Sequence, residues 1–376
     1  ITPERLRLYP RALFVALVTA FLIAVATADG ARLPGGGRLG GEYPAFHAAG
    51  VLVREGRGEA LYDVDTVAAV QAQVFPDAPP GTFLAFPYPA MVALPYAALS
   101  VFGFRWAYAV HTMMAGFAVW LATDLACRWL PALRPHRFLA FVALLSFYPL
   151  LRAVLGGQNT AFSLVVLAAA ALLEDRARPV AQGAVAALLV CKPQLGVPLL
   201  ALQALRRPRT LLGALPVTVV LLALGTAAAG RGWVFPWVNS LPAFAAASGA
   251  ADGANEIGLA GVAGAAFGVP AVGLASAVLV AAALVVVWRS HLVEPPVRWA
   301  LTALTLPWLP PHSLFYDAGL AGLALLVLAA SGAVRQAVVG WAAGFTGVLG
   351  PILGVQPLAL LPALLGSWLL RRRADS

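Results

Sequence analysis

The chain has a single lysine, Lys192, and only 11% of its 376 residues are charged. Soluble globular domains carry roughly 25% charged residues, so an ordinary soluble fold is excluded. The two cysteines, Cys127 and Cys191, have neither metal-ligand spacing nor a disulfide pattern, and both read as inert packing residues. No Walker loop, dinucleotide glycine pattern, zinc-ligand spacing or GxSxG elbow occurs. These absences speak against ATP-driven transport and against a nucleotide-sugar site on a soluble domain. Internal repeats are not evident either, which weakens a transporter built from repeated halves.

What the chain does have is apolar sequence: 61% of residues are hydrophobic and the mean hydropathy is +0.85. It reads as an all-α polytopic membrane protein with about twelve spans. Hydropathy places them at Leu13–Ala28, Pro87–Phe102, Trp106–Ala126, Phe138–Leu155, Thr160–Leu173, Val180–Leu205, Leu211–Ala229, Val269–Val287, Val297–Leu309, Leu314–Ala330, Ala333–Gly350 and Ile352–Leu370. The first run follows Arg5, Arg7 and Arg11 and resembles a signal peptide, but within a multi-span chain it reads as an uncleaved helix. The formal charge of +9 does not point to nucleic acid, because the arginines cluster at span ends, where the positive-inside rule gives them a role.

With the N-terminus inside, twelve crossings return Arg371, Arg372 and Arg373 to the cytoplasm, together with Arg206, Arg207, Arg209, Arg289, Arg298 and Arg335. Two clusters oppose this count. Arg128, Arg134 and Arg137 fall outside, as do Arg176 and Arg178. A re-entrant pair around Gly156 or around Lys192 would change the local parity.

Two polar segments fall on the outer side, residues 29–86 and 230–268. The first carries Asp29, Glu42, Glu55, Glu59, Asp63, Asp65 and Asp77, seven of the sixteen acidic residues. Acid is thus concentrated where chemistry outside the membrane can use it. Within this loop, Ala45 to Arg54 and Val64 to Phe75 have the apolar spacing of amphipathic helices lying on the membrane surface.

Lys192 lies inside the apolar run PVAQGAVAALLVCKPQLGVPLLALQAL, directly before Pro193. A charge in a spanning segment costs at least about 2.5–3.5 kcal/mol on insertion scales, so it faces a partner, a cavity or a ligand. GGQN (Gly156 to Asn159) interrupts another apolar run, with Arg152 shortly before it. Arg152, Gln158, Asn159 and Lys192 together have the donors to hold a phosphate; a tight inter-helix turn with internal hydrogen bonds fits the same glycines. Glu42, in GGEYPAFHAAG, has the chemistry of a base for an acceptor hydroxyl. Composition alone favours a solvated acid or a helix-start residue there. His47 follows on the same segment, either beside the acid or packed among aromatics. Tyr88, in FPYP, anchors the start of the second span at the interface. Near the end, PWLPPHSLFYDAG brings His312, Ser313, Tyr316 and Asp317 to the outer start of a span. His312 can orient a sugar or phosphate and Asp317 can hold a hydroxyl or an arginine, and either can cap a helix.

Taken in order, GEYPAFHAAG, the LYD segment, FPYPAMVALP, GQN, the KPQLG stretch, GANEIGLAGVAG with Asn255, and the late FYD segment resemble glycosyltransferase family 87 over most of the chain. The paired GQN and KPQLG motifs are the more specific part. The resemblance implies a membrane enzyme of the GT-C superfamily, multi-pass in the plasma membrane with its site facing outward. It implies a polyprenyl-phosphate sugar donor, mannose above all, and a glycolipid or glycan acceptor. The family's catalytic acid, usually Asp, falls on Glu42 here, and its second proline after Tyr-Pro is replaced by Ala90. Transfer would be inverting, with Arg152, Gln158, Asn159, Lys192 and His312 on the donor side and His47, Tyr88, Asn255 and Asp317 on the acceptor side or in support. No metal or other cofactor is required, because the cationic side chains offset the phosphate charge. The competing class is a transporter or flippase of a lipid-linked sugar, which needs no base in the first loop.

Overall fold

The computed structural model describes residues 3–75 and 83–371, so Asp77, Arg372 and Arg373 lie outside it. The order begins with α1 (Pro3–Thr27), α2 (Tyr43–Arg54), α3 (Val64–Val74), α4 (Ala93–Leu99), α5 (Gly103–Trp129), α6 (Arg137–Leu145) and α7 (Tyr148–Leu155). It continues with α8 (Thr160–Asp175), α9 (Pro179–Ala187), α10 (Pro193–Arg206), α11 (Leu211–Ala229), α12 (Val234–Asp252), α13 (Leu259–Phe267) and α14 (Pro270–Arg289). It ends with α15 (Pro295–Thr305), α16 (Gly322–Ala330), α17 (Val334–Ala343), α18 (Gly350–Leu353) and α19 (Leu361–Arg371). No β-strand occurs among the described residues.

Local chemistry accounts for the helix ends. The Asp63 carboxylate caps α3 by accepting from the Thr66 N–H at 2.8 Å. Pro270 opens α14 and Arg289 closes it, matching the orphan N–H groups at one end and the dipole at the other. The long helices are apolar outward as well as inward: Leu22 and Ile23 on α1, Leu212 and Val219 on α11, and Val278 and Leu279 on α14 are all exposed. Such helices suit a lipid solvent.

Five helical segments are long and apolar enough to cross a membrane: Leu8–Thr27, Ala90–Trp129, Pro208–Ala229, Pro270–Arg289 and Val334–Leu353. A sixth counts if Pro131–Leu145 and Tyr148–Leu155, bent by 69°, form one broken span. The other segments in the twelve-span reading are shorter or interrupted helices, among them Pro179–Cys191, Phe315–Ala330 and Pro357–Arg371. The segment 230–268, read from sequence as a polar loop, is largely the helices α12 and α13.

The chain divides into two compact units. The first comprises Ile1–Gly116, Val154–Gln158 and Val219–Gly249. Within it, α2 corrects the surface-helix expectation: every residue from Tyr43 to Leu52 is buried, and the helix packs on α4. Its apolar spacing reflects burial in protein. The chain reverses between α4 and α5 at Gly103, since the rings of Tyr96 and His111 lie 5.4 Å apart, where a straight helix would separate their backbones by about 22 Å. With only seven residues, α4 rises about 10 Å. Even with the 3₁₀ turns Ala90–Val92 and Ser100–Phe102 that flank it, it falls short of a hydrocarbon core of about 30 Å, whereas α5, with 27 residues, is long enough to cross.

The second unit comprises Phe117–Ala153, Asn159–Thr218 and Ala250–Ser376. Here the run read as one span, Val180–Leu205, is a hairpin. At its start, Gly183 abuts the backbone of Thr210. At its finish, Arg207 Nη1 donates to the Glu174 carbonyl at 3.2 Å, beside the last turn of α8. Lys192 is the tip: it closes the 3₁₀ turn Leu188–Cys191 and opens α10, whose Pro193 has no N–H to satisfy. Glu174 anchors the other end, accepting from Arg298 Nη2 and from Trp299 Nε1 at 2.7 Å.

Candidate functional site

In the first unit, Glu42 is the residue preceding α2, and its N–H donates to the Gly156 carbonyl at 3.1 Å. Its Oε2 accepts from Gln158 Nε2. Gln158 is 1% exposed, and its Oε1 accepts from the Tyr88 hydroxyl at 3.1 Å. The Tyr88 carbonyl in turn accepts from the Tyr62 hydroxyl at 3.0 Å. Glu42 itself is half-buried. The result is a half-buried carboxylate fixed by an amide whose own orientation is fixed by a phenol.

The glycines of both segments make this possible. Gly157 has φ +72°, and a Cβ there would stand 2.5 Å from the Tyr43 Cβ. Tyr43 is fully buried among Phe104, Tyr108 and His111, with ring centroids at 5.6, 5.5 and 5.2 Å, so it has nowhere to move. We expect Gly157→Ala to cost on the order of 1–3 kcal/mol through backbone strain and to pull Gln158 away from Glu42. Unfolding of the detergent-solubilised protein measures the first effect, and an unchanged stability would contradict this packing.

His47 does not line an open site. It is 5% exposed and packs against Phe104 at 5.3 Å and Tyr43 at 6.3 Å. Burial, and secondarily the charge of Arg54, pull its imidazole down from 6.5 to about 4. The folded protein therefore holds His47 neutral while the unfolded chain protonates it near 6.5. Its contribution to stability is complete above that value and is lost as pH falls toward 4. At pH 5 the loss amounts to about 2 kcal/mol. His47→Phe should flatten the stability profile between pH 7 and pH 5, and an unaltered slope would refute the assignment.

In the second unit, Lys192 Nζ donates to Asp317 Oδ1 at 2.7 Å, with side chains only 3% and 9% exposed. Thr160 Oγ1 donates to the same oxygen at 2.6 Å. The lysine's charge is thus met inside the protein by Asp317, which also accepts from Thr160. Lys192, expected among the phosphate donors, is buried and paired with Asp317. Arg152, by contrast, is exposed, so the structure does not gather it with Lys192. Asn159 is half-buried ahead of α8.

A second polar group in this unit joins Glu256 to the late segment. Glu256 Oε1 pairs with His312 Nδ1, and Oε2 accepts from the Ser313 N–H at 3.0 Å. The Ile257 N–H closes the contact by donating to the Ser313 carbonyl at 2.8 Å. Glu256 is 5% exposed whereas His312 remains partly open. A buried carboxylate holding one ring nitrogen of a histidine fixes the direction of the ring. Sequence reading chose Asn255 from this segment, but the next residue, Glu256, reaches His312. A carboxylate in an apolar stretch needs a cationic or donor partner, and that was the available signal. Thr160 was missed in the same way, one position beyond GQN. Among the described residues, no group of three or more His, Cys, Asp or Glu side chains is placed to hold a metal ion.

The sequence profile of glycosyltransferase family 87 matches residues 86–315. That interval contains Tyr88, Arg152, the GQN turn, Lys192, Glu256 and His312. No curated protein matches the chain. No solved structure matches it either.

Proposed function

Because the chain belongs to glycosyltransferase family 87, we propose that it transfers a sugar, mannose above all, from a polyprenyl phosphate to a hydroxyl of a glycolipid or glycan at the outer face of the plasma membrane. Glu42 takes the proton from the acceptor hydroxyl. The acceptor oxygen forms a bond to the anomeric carbon as the bond from that carbon to the phosphate oxygen breaks. Polyprenyl phosphate leaves with the bonding electrons, and the configuration at the sugar inverts. Glu42 returns its proton to water, so no further reactant is needed.

The observation that carries this reading is the hold on Glu42 by Gln158 and Tyr88. A base must be oriented, and the Gln158 amide, itself held by the Tyr88 hydroxyl, orients the Glu42 carboxylate. Arg152, Asn159 and His312 are assigned to the charge of the leaving phosphate. Lys192 and Asp317 are assigned a positioning role, since each satisfies the other.

The test is purified protein in nanodiscs with a polyprenyl-phosphate mannose and a glycolipid acceptor. Free polyprenyl phosphate and a new glycoside should appear in equal amounts. Movement of intact donor across a liposome bilayer without cleavage would instead make the protein a flippase.

A further inference from the structure

We propose that Pro179–Arg206 is a re-entrant hairpin, and that the arginine-rich end from which it enters is a docking face for anionic phospholipid headgroups on the inner side of the membrane. Four helix ends meet there. Arg206 Nε lies 3.6 Å from Glu174 Oε1 at the end of α8, and Arg206 Nη1 donates to the Trp288 carbonyl at 2.8 Å and the Ser290 carbonyl at 3.3 Å at the end of α14. Arg298, in the first turns of α15, pairs with Glu174. The opposite end of the hairpin is Lys192, bound with Thr160 to Asp317 at the start of α8. The chain therefore leaves the arginine end along α9, turns at Lys192 and returns along α10.

Neither limb is long enough to cross. α9 with its following 3₁₀ turn has nine and four residues, and α10 has fourteen. Each rises about 21 Å, against a hydrocarbon core of about 30 Å. With the α4 segment and this hairpin both folding back, ten of the twelve hydropathy segments are left to count for parity. The parity then changes in the two places where it was wrong. Arg128, Arg134 and Arg137, and likewise Arg176 and Arg178, then fall on the same side as Arg206, Arg207, Arg209, Arg289, Arg298, Arg335 and Arg371.

This end carries Arg176, Arg178, Arg206, Arg207, Arg209, Arg289 and Arg298 against Glu174, Asp175 and Glu294. Arg206 and Arg298 are committed to Glu174 and to carbonyls of the fold. Arg176, Arg178, Arg209 and Arg289 are exposed and have no ion-pair partner among the described residues. Four guanidinium groups around helix ends at a membrane boundary match the phosphates of an anionic leaflet.

Two measurements on the full-length protein test the proposal. Single cysteines at Arg178 and Arg209, with Cys127 and Cys191 replaced by alanine, should both react with an impermeant maleimide only after cells are permeabilised. Labelling of one from outside and the other from inside would show a crossing and overturn the hairpin. Native mass spectrometry from phosphatidylglycerol–phosphatidylcholine nanodiscs should find phosphatidylglycerol retained by the parent protein. Retention should fall at least threefold in R176Q/R178Q/R209Q/R289Q, with its melting temperature unchanged because all four side chains are exposed. Equal retention, or equal preference for the two lipids in the parent, would overturn the docking face.

Discussion

Glu42→Gln should lower transfer by about 10²–10⁴-fold, the span over which a positioned general base contributes, while the protein keeps its fold and its donor affinity. The amide is nearly isosteric with the carboxylate. Its oxygen can still accept from Gln158 Nε2, and the backbone bond from residue 42 to the Gly156 carbonyl is untouched. Only basicity is lost. Glu42→Asp keeps the basicity but withdraws the carboxylate by one methylene, so it should retain part of the activity and lose some of the hold of Gln158. Steady-state rates with donor binding measured separately distinguish these effects. If Glu42→Gln turned over normally and substitution of His312 abolished turnover, the base would lie in the Glu256–His312 pair instead.

Lys192→Met should destabilise the protein by about 3–5 kcal/mol, because it leaves Asp317 charged and buried with no cation. Thr160 still donates to Asp317, but one hydroxyl does not neutralise a carboxylate in an apolar interior. The double variant Lys192→Met, Asp317→Asn should recover most of the loss, since the amide still accepts from Thr160 and no charge remains. Both effects appear in melting temperature and in the yield of folded protein. If the single variant were as stable as the parent, the ion pair would carry no weight in the fold. If instead Lys192→Met kept its stability but lost donor binding selectively, the lysine would be a ligand after all.

The helical, membrane-embedded nature of the chain follows directly from its composition, because nearly every segment outside the two polar stretches is apolar enough to need lipid or protein around it. Crossing number does not follow in the same way. A hydropathy window scores α4 and α9–α10 as it would a span, and it cannot register that Tyr96 folds back onto His111 or that Arg207 returns to Glu174. The arginine distribution carries a sign of the same folding back, as two clusters that the twelve-span count leaves outside. The site shows the same division. Lys192 and Asp317 each stood out as costly polar groups, but their pairing joins positions 125 apart in sequence and no local pattern encodes it. Glu42 and Gln158 lie 116 positions apart, and the glycines at 41 and 157 hint at a close backbone approach without naming the partner. His47 looked like a neighbour of the acid because it shares a segment with Glu42, yet its ring turns into an aromatic core. Residue type marked the candidates; tertiary packing decided which of them meet.

The most direct test of a single displacement driven by Glu42 is the anomeric configuration of the product made by the purified protein, read by NMR from a donor of known configuration. Inversion is expected: an α-glycoside from a β-linked polyprenyl phosphate. Retention would require a covalent or otherwise double-displacement route and would contradict the role given to Glu42.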